Sequence, residues 1–502
     1  MVHFKYSERL TRDPAPEIVE LYGKPHIELE QESLQFHLAI HKAHCVMLHE
    51  QGILDRDTAR QIIDALTELQ TLGAKALNLR PELNDLFTNT EVHLIEKLGE
   101  SVGGRLHTGR SRNDFNLTVA RMEARAAILD VMDRLLELQG VLLECAETHV
   151  ETVMPGYTHI SQQAQPVTLG HFLAAFFDVF DRDIQRLGEA YAVVDRSSMG
   201  GVALAGTGFP INRRRVSDLL GFSNVVENTI DATGSRDFQL QTLAALGITA
   251  SSLARLAESL LIWNMGEIGM IDLPDEYCSI SSIMPQKKNP VALETVRAEV
   301  SLVLGRLASA LAILKASPLG NSREVGYTDR LVEETGKEVA LIIPIMAGLL
   351  RGMRVDREVM FRRAAEGFST TTELADELVR VWGVPFRKAH RIVGYVVGQI
   401  ALRGGTARDI SAEAIAKACA DLYGDVFVLS ADLVATSIDP AHNVRMRKTL
   451  GGPAPSEVKR MLRDRSSVLS GRRADVANRR EVLATASRAL ESAVASLMLP
   501  GG

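Results

Sequence analysis

The sequence predicts an all-α protein organised around unusually long helices. Aromatic residues make up only 5% of the chain, while Ala, Leu, Arg and Glu, all strong helix formers, abound. Apolar residues recur at helical spacing over very long stretches. Alternating polar and apolar patterns, the mark of half-buried strands, are few and short.

Taken in chain order, a helical N-terminal region ends at the Gly- and Arg-rich loop Ser101 to Asn113. The stretch Leu117 to Val153 follows, with Val119, Met122, Ala126, Leu129, Met132 and Leu136 near one face. Gly208-Phe209-Pro210-Ile211 reads as an extended turn. Phe238 to Met265 and Val291 to Ala316 repeat the helical pattern. Each of the three is expected to exceed about 25 residues, where an ordinary globular helix has about 11–12. Helices of that length need equally long partners, which a bundle shared between subunits supplies. Gly367 to Thr372 precedes a new helix and Gly383-Val384-Pro385 interrupts that region. The last third reads as shorter helices and polar turns, ending in a frayed Leu499-Pro500-Gly501-Gly502. The expected division is residues 1–114, 115–366 and 367–502, in line with about 150 residues per domain.

Composition narrows the function. Hydrophobic residues are 46% and charged residues 24% of the 502, which excludes a disordered or collagen-like chain. Lys and Arg number 56 against 63 Asp and Glu, a formal charge of −7 with no polybasic footprint for nucleic acid or an anionic membrane. Cys45, Cys145, Cys278 and Cys419 lie far apart, as in a reducing compartment. The start, MVHFKYSERL, has no apolar core of a signal peptide. The apolar run Val339 to Leu350 contains Pro344 and falls short of the roughly 18 residues a membrane span needs. A soluble, cytoplasmic protein is expected.

Three loops carry the chemistry. His107-Thr108-Gly109-Arg110-Ser111-Arg112-Asn113-Asp114 places two arginines, two hydroxyls and an amide just before a long helix. A helix start favours anions, and arginine holds carboxylates bidentately. The same residues also suit a solvated basic loop capped by Asn113 or Asp114. Met154-Pro155-Gly156-Tyr157-Thr158-His159 follows that helix. Histidine is the side chain suited to proton transfer near neutral pH and Thr158 can bond a carboxylate, which makes His159 a candidate, although a lone histidine is more often a structural hydrogen-bonder. Ser281 to Pro290, SSIMPQKKNP, has two prolines and no helical period. Pro290 suits the first turn of the next helix with Asn289 as its cap. The loop reads either as a linker or as a cluster of hydroxyls, ammoniums and an amide around a developing negative charge.

SSIMPQKKNP resembles the signature loop of the fumarase/aspartase superfamily, and HTGRSRND with MPGYTH is similar to its argininosuccinate-lyase branch. Further matches are Ala203 to Thr207, Arg236-Asp237-Phe238, Leu256-Ala257-Glu258, Leu273 to Glu276 and Val384 to Arg387. The resemblance implies a three-domain all-α fold with a central bundle of five long helices. It also implies a homotetramer with a twenty-helix core, active sites drawn from three subunits, and neither metal nor organic cofactor. The implied reaction is β-elimination of fumarate from an N-substituted aspartate. In it Ser281 is the base, Lys287 its cation, and His159 pairs with Glu294. Ser111, Arg112, Asn113, Thr158, Gln165, Ser282, Met284 and Asn289 contact substrate, and Lys288 faces solvent.

The chain departs from the family pattern at several points. Ile280 and Val291 replace a glycine and an aspartate that flank the signature. His159 to Pro166 is one residue longer than usual. Phe87 and Phe115 stand where histidine and glutamine are common. In Lys315 to Asp329, Asn321, Gly326 and Asp329 occupy positions of a Tyr, a Gln and a Lys that hold the arginine end of argininosuccinate. A missing polar partner of this kind weakens recognition. The expected substrate is therefore an aminopolycarboxylate, as in ethylenediamine-disuccinate lyases, with Arg323 and Arg330 candidates for its distant carboxylates. Argininosuccinate is the alternative, with adenylosuccinate lyase less well matched. A non-catalytic bulk protein of the lens-crystallin kind and a fumarate-binding module are the readings outside enzymology.

Overall fold

The computed structural model describes residues 12–425 and 427–499. The leader expectation on MVHFKYSERL and the fraying expectation at Pro500 to Gly502 fall on residues outside these. The elements that position the site are helices α1 Leu34–Glu50, α2 Arg56–Leu72, α3 Leu86–Leu98 and α4 Arg112–Thr148. Hairpin strands β1 Val153–Thr158 and β2 Gln162–Thr168 follow, then α5 Leu169–Val194 and α6 Asp237–Trp263. The short rungs β3 Ser279–Ile280 and β4 Lys288–Asn289 precede α7 Val291–Leu314 and α8 Arg323–Gly352. The last are α9 Thr371–Trp382, α10 Phe386–Ala401, α11 Ala412–Tyr423 and α12 Pro455–Met498.

Helices α4 to α8 form the five-helix bundle, running alternately up and down around one large core. The sequence explains the start of α4. Ser111 is the N-cap, and Asp114 three residues later returns a bond to the Ser111 N–H at 2.9 Å, a capping box. Neither Asn113 nor Asp114 is the cap. Asp114 is buried and also accepts from the N–H of Gly200 (2.8 Å) and Val202 (3.0 Å), fixing the Ala203 to Thr207 loop beside the helix start. Burial pushes its carboxyl up to about 6 despite these bonds.

The helix of residues 237–263 is long and apolar enough to cross a membrane by composition alone, but it lies in the middle of the bundle with most of its apolar side chains buried. Helix α7, expected beyond 25 residues, has 24. Pro290, not Asn289, occupies its cap position without a side-chain bond.

The last third contradicts the expectation of short helices. Helix α12 runs 44 residues, the longest described. Its sequence is polar because it exposes most of its surface; only a sparse line of residues such as Val458, Met461, Leu469 and Val476 enters the bundle core. Its far end adds Leu490 and Leu497 to a second core built by α1, α2 and α3. Helices α9 to α11 make a third, separate core.

Two of the sequence departures are one structural change. Phe87 and Phe115 are both fully buried with ring centroids 4.8 Å apart, and His41 packs 4.6 Å from Phe115. Arg110 lies over both phenylalanines and meets His41 at 2.8 Å. Burial pushes His37 and His44 down to about 3, so this cluster is neutral at the histidines and belongs to the core.

Candidate active site

Helix α4 carries candidate residues at both ends. Arg112 and Asn113 stand at its start, and the hairpin bearing Thr158 and His159 follows its end. Thirty-seven residues of α-helix span about 55 Å. Alternation of the bundle puts the starts of α4, α6 and α8 together at one end. The hairpin and the Ser281 loop follow the ends of α4 and α6, at the other.

At the first end lies a cavity of about 350 Å³ that includes Arg112, Asn113, Arg236, Asn321, Gly326 and Asp329. Arg112 pairs with buried Asp85 at 3.0 Å. The Asn113 amide donates to the Ala203 carbonyl (3.1 Å) and accepts from Asn321 (2.9 Å). Arg236 donates to Asn321 at 3.3 Å and approaches Asp329 at 3.9 Å. The three positions that depart from the family's distal pattern thus line one wall beside Arg112 and Asn113. The Ser111 hydroxyl accepts the Asn113 N–H at 3.3 Å, a capping role.

Sequence reasoning missed Tyr22, His26 and Glu30, which line the same cavity. Their spacing of four puts them on one helical face, the signal that could have found them. Tyr22 stacks on His26 at 4.9 Å, and His26 meets Glu30 at 3.1 Å. Burial pushes the Tyr22 hydroxyl up to about 12 although the guanidinium of Arg323, 3.6 Å over its ring, opposes this. Asp85 and Glu123, also cavity-lining, were missed too.

At the other end, the signature loop is the tip of a two-rung hairpin pairing Ser279 with Asn289 and Ile280 with Lys288. Ser281 donates its N–H to the Lys287 carbonyl at 3.2 Å. Its Oγ accepts the N–H of Ile283 (3.3 Å) and of Met284 (3.0 Å). These donors are what a serine needs to carry negative charge. Met284 meets Ser281 through its backbone. Ser282 and Lys287 are exposed; Asn289 is half-buried, its amide 3.5 Å from the Ser279 hydroxyl. Lys288 is partly exposed but not free in solvent: it binds Asp272 (3.1 Å), Asp275 (2.7 Å) and the Leu273 carbonyl, pinning one leg of the loop to Leu273 to Glu276. Ile280 has no positive φ, so the absent glycine costs no backbone strain.

Strands β1 and β2 turn the expected MPGYTH loop into a hairpin. Register shifts between Pro155 and Tyr157, so Ala164 and Gln165 together face Gly156. This bulge absorbs the extra residue between His159 and Pro166. A Cβ at position 156 would lie 2.6 Å from the Gln165 carbonyl, which is why glycine stands there. At the tip His159 (φ 48°) and Ile160 (φ 70°) take left-handed conformations, holding both side chains out to solvent. Thr158 and Gln165 are exposed as well. Glu294 is exposed in the first turn of α7, and among the described residues no ion pair joins it to His159 within one chain. The expected histidine–glutamate pair is thus not an intrachain one. None of the hairpin or signature-loop residues lines the cavity.

Comparison with known proteins gives the chemistry. The lyase family model matches residues 8–305, and the argininosuccinate lyase C-terminal model matches residues 368–445. Argininosuccinate lyase 1 of Shouchella clausii is 36% identical over 97% of this chain and 98% of its own. Argininosuccinate lyase of Methanoculleus marisnigri is 40% identical over 86% and 87%. Among solved structures, EDDS lyase in complex with formate superposes with a TM-score of 0.87 at 32% identity, covering 97% of both chains. An engineered EDDS lyase variant with bound fumarate gives 0.86 at 33%, again over 97% of both. With signature loop, bundle and both family models in agreement, the chain belongs to the argininosuccinate lyase-like branch of the fumarase/aspartase superfamily and is a fumarate-forming C–N lyase.

Proposed function

We propose that the substrate is an aminopolycarboxylate such as ethylenediamine-N,N'-disuccinate, cleaved reversibly to fumarate and N-(2-aminoethyl)aspartate and then to a second fumarate and ethylenediamine. The observation that carries this reading is the wall formed by Asn321, Arg236 and Asp329, which replaces the distal partners expected for arginine. The curated relatives favour the alternative, cleavage of argininosuccinate to arginine and fumarate.

In the proposed reaction Arg112, Asn113, Thr158 and Ser111 clamp the succinyl carboxylates, with Gln165, Ser282 and Asn289 completing the contacts. Ser281, its alkoxide held by the N–H groups of Ile283 and Met284 and by the Lys287 ammonium, removes the proton from the carbon next to the C–N carbon. The electron pair passes into the neighbouring carboxylate as an aci-carboxylate. Its collapse forms the double bond of fumarate and breaks the C–N bond, and the departing nitrogen takes a proton. One well-placed donor at such an oxyanion is worth about 3–4 kcal/mol.

The roughly 55 Å between the two ends of α4 prevents one chain from assembling this set. This supports the reading that the site is shared between subunits, in a cytoplasmic homotetramer with three subunits to a site and His159 meeting Glu294 across a boundary. Exposed Leu302, Leu304 and Leu311 on α7, with Ile248 on α6 and Leu341 on α8, give the bundle the apolar surface such an assembly buries. The test is fumarate absorbance with ethylenediamine-disuccinate and with argininosuccinate. Release from the first supports the reading; release from argininosuccinate alone overturns it.

A further inference from the structure

The cavity holds a carboxylate that the proposed succinyl clamp does not use. Glu123 follows Arg112 by eleven positions on α4, about 16 Å along the same face, and both line the cavity. Its carboxylate accepts from the Ser33 hydroxyl, and among the described residues no Arg or Lys pairs with it. Three cations nearby are committed, Arg112 to Asp85, Lys337 to Glu32 and Glu333, and Arg330 to Glu334, while Arg323 stacks over the Tyr22 ring. Burial, reinforced by Glu333, Asp329 and Glu30, pushes Glu123 up to about 8.

Arg236 gives a second, independent sign of a ligand. Its side chain is only 3% exposed and lines the same cavity. One terminal nitrogen reaches Asn321, but Nε and Nη1 lack hydrogen-bond acceptors. A buried guanidinium with idle N–H groups and a half-buried carboxyl without a cation each call for a complementary group.

We propose that Glu123 is a specificity-determining residue that receives a second protonated nitrogen on the leaving amine, while Arg236 binds an acceptor atom of the same molecule. The substrates are then N-substituted aspartates of diamines or diamino acids. This deepens the aminopolycarboxylate reading and rests on the C–N lyase reaction. A monoamine of equal length gains nothing from Glu123, and so is the poorer substrate.

The test runs the reaction in the amination direction with the full-length protein. Fumarate loss is followed with ethylenediamine, 1,3-diaminopropane and 1,5-diaminopentane, each against the monoamine of the same length. The wild type should prefer at least one diamine by tenfold or more in kcat/KM. Glu123→Gln should bring that preference within twofold, and Glu123→Asp should retain part of it. Melting temperatures without fumarate give a readout free of turnover: the preferred diamine, and not its monoamine, should raise the Tm of the wild type. No diamine preference in the wild type, or one unchanged in Glu123→Gln, overturns the proposal and leaves the lyase reaction standing. No fumarate loss with any amine overturns both.

Discussion

Replacing Glu123 with glutamine should stabilise the empty protein, and only at neutral to alkaline pH. The folded chain holds this carboxyl protonated up to about pH 8, against an ordinary value of 4.5. Between those values the native state keeps a proton that the unfolded chain has released, so stability falls as pH rises through that window and is level above it. The difference of about 3.5 pH units, at about 1.4 kcal/mol each, is on the order of 5 kcal/mol above pH 8. Glutamine carries no such penalty, and its carbonyl can still accept from Ser33. Unfolding entropy of about 2 cal/mol/K per residue makes 1 kcal/mol worth about 1 °C in a chain of this length. The expected Tm gain is near zero at pH 4.5, grows through pH 6 and 7, and levels at about 4–5 °C by pH 9. Differential scanning fluorimetry at fixed scan rate and ionic strength measures it. A gain independent of pH, or a variant less stable at pH 9, would refute the reasoning.

Ser281→Ala should lower turnover by about a thousandfold or more, since the group that takes the proton is gone. Its Tm should stay within about 1 °C, because the loop is largely exposed; substantial turnover removes Ser281 as the base. Asp114→Ala strips acceptors from the N–H groups of Ser111, Gly200 and Val202. At about 1–3 kcal/mol per orphaned group, it should cost several degrees of Tm and loosen the Asn113–Ala203 contact; an unchanged Tm contradicts that account. Leu311→Arg on the exposed face of α7 should dissociate the proposed tetramer in light scattering and abolish activity in parallel, and a fully active monomer would show that each chain holds a complete site.

Periodicity revealed the helices whose buried stripes are dense, such as α4 and α6. It missed α12, where one apolar residue per turn or fewer touches the core and the rest is solvent-facing Arg, Asp and Ser. It also missed the β1–β2 hairpin, because Pro155 and Gly156 read as loop formers and only strand pairing reveals the bulge that accommodates them. Motifs located Ser281, Arg112 and His159 in sequence, but not the distance separating them, which follows from the length and direction of α4. Arg110 looked like one more anion-binding arginine. Its burial against Phe87, Phe115 and His41 makes it part of the core. Tyr22, His26 and Glu30 carried no motif, and Lys288 found its carboxylates only through the fold.

The alternating bundle has an evolutionary consequence. On the proposed mechanism, the machinery for pulling a hydrogen off carbon sits at one pole of the chain, and the lining that judges the amine sits at the opposite pole. Drift around residues 321–329 can therefore explore new amines while the serine loop, a helix-length away and pinned by Lys288, keeps its shape. One scaffold can in this way acquire new specificities without reinventing how it breaks the bond.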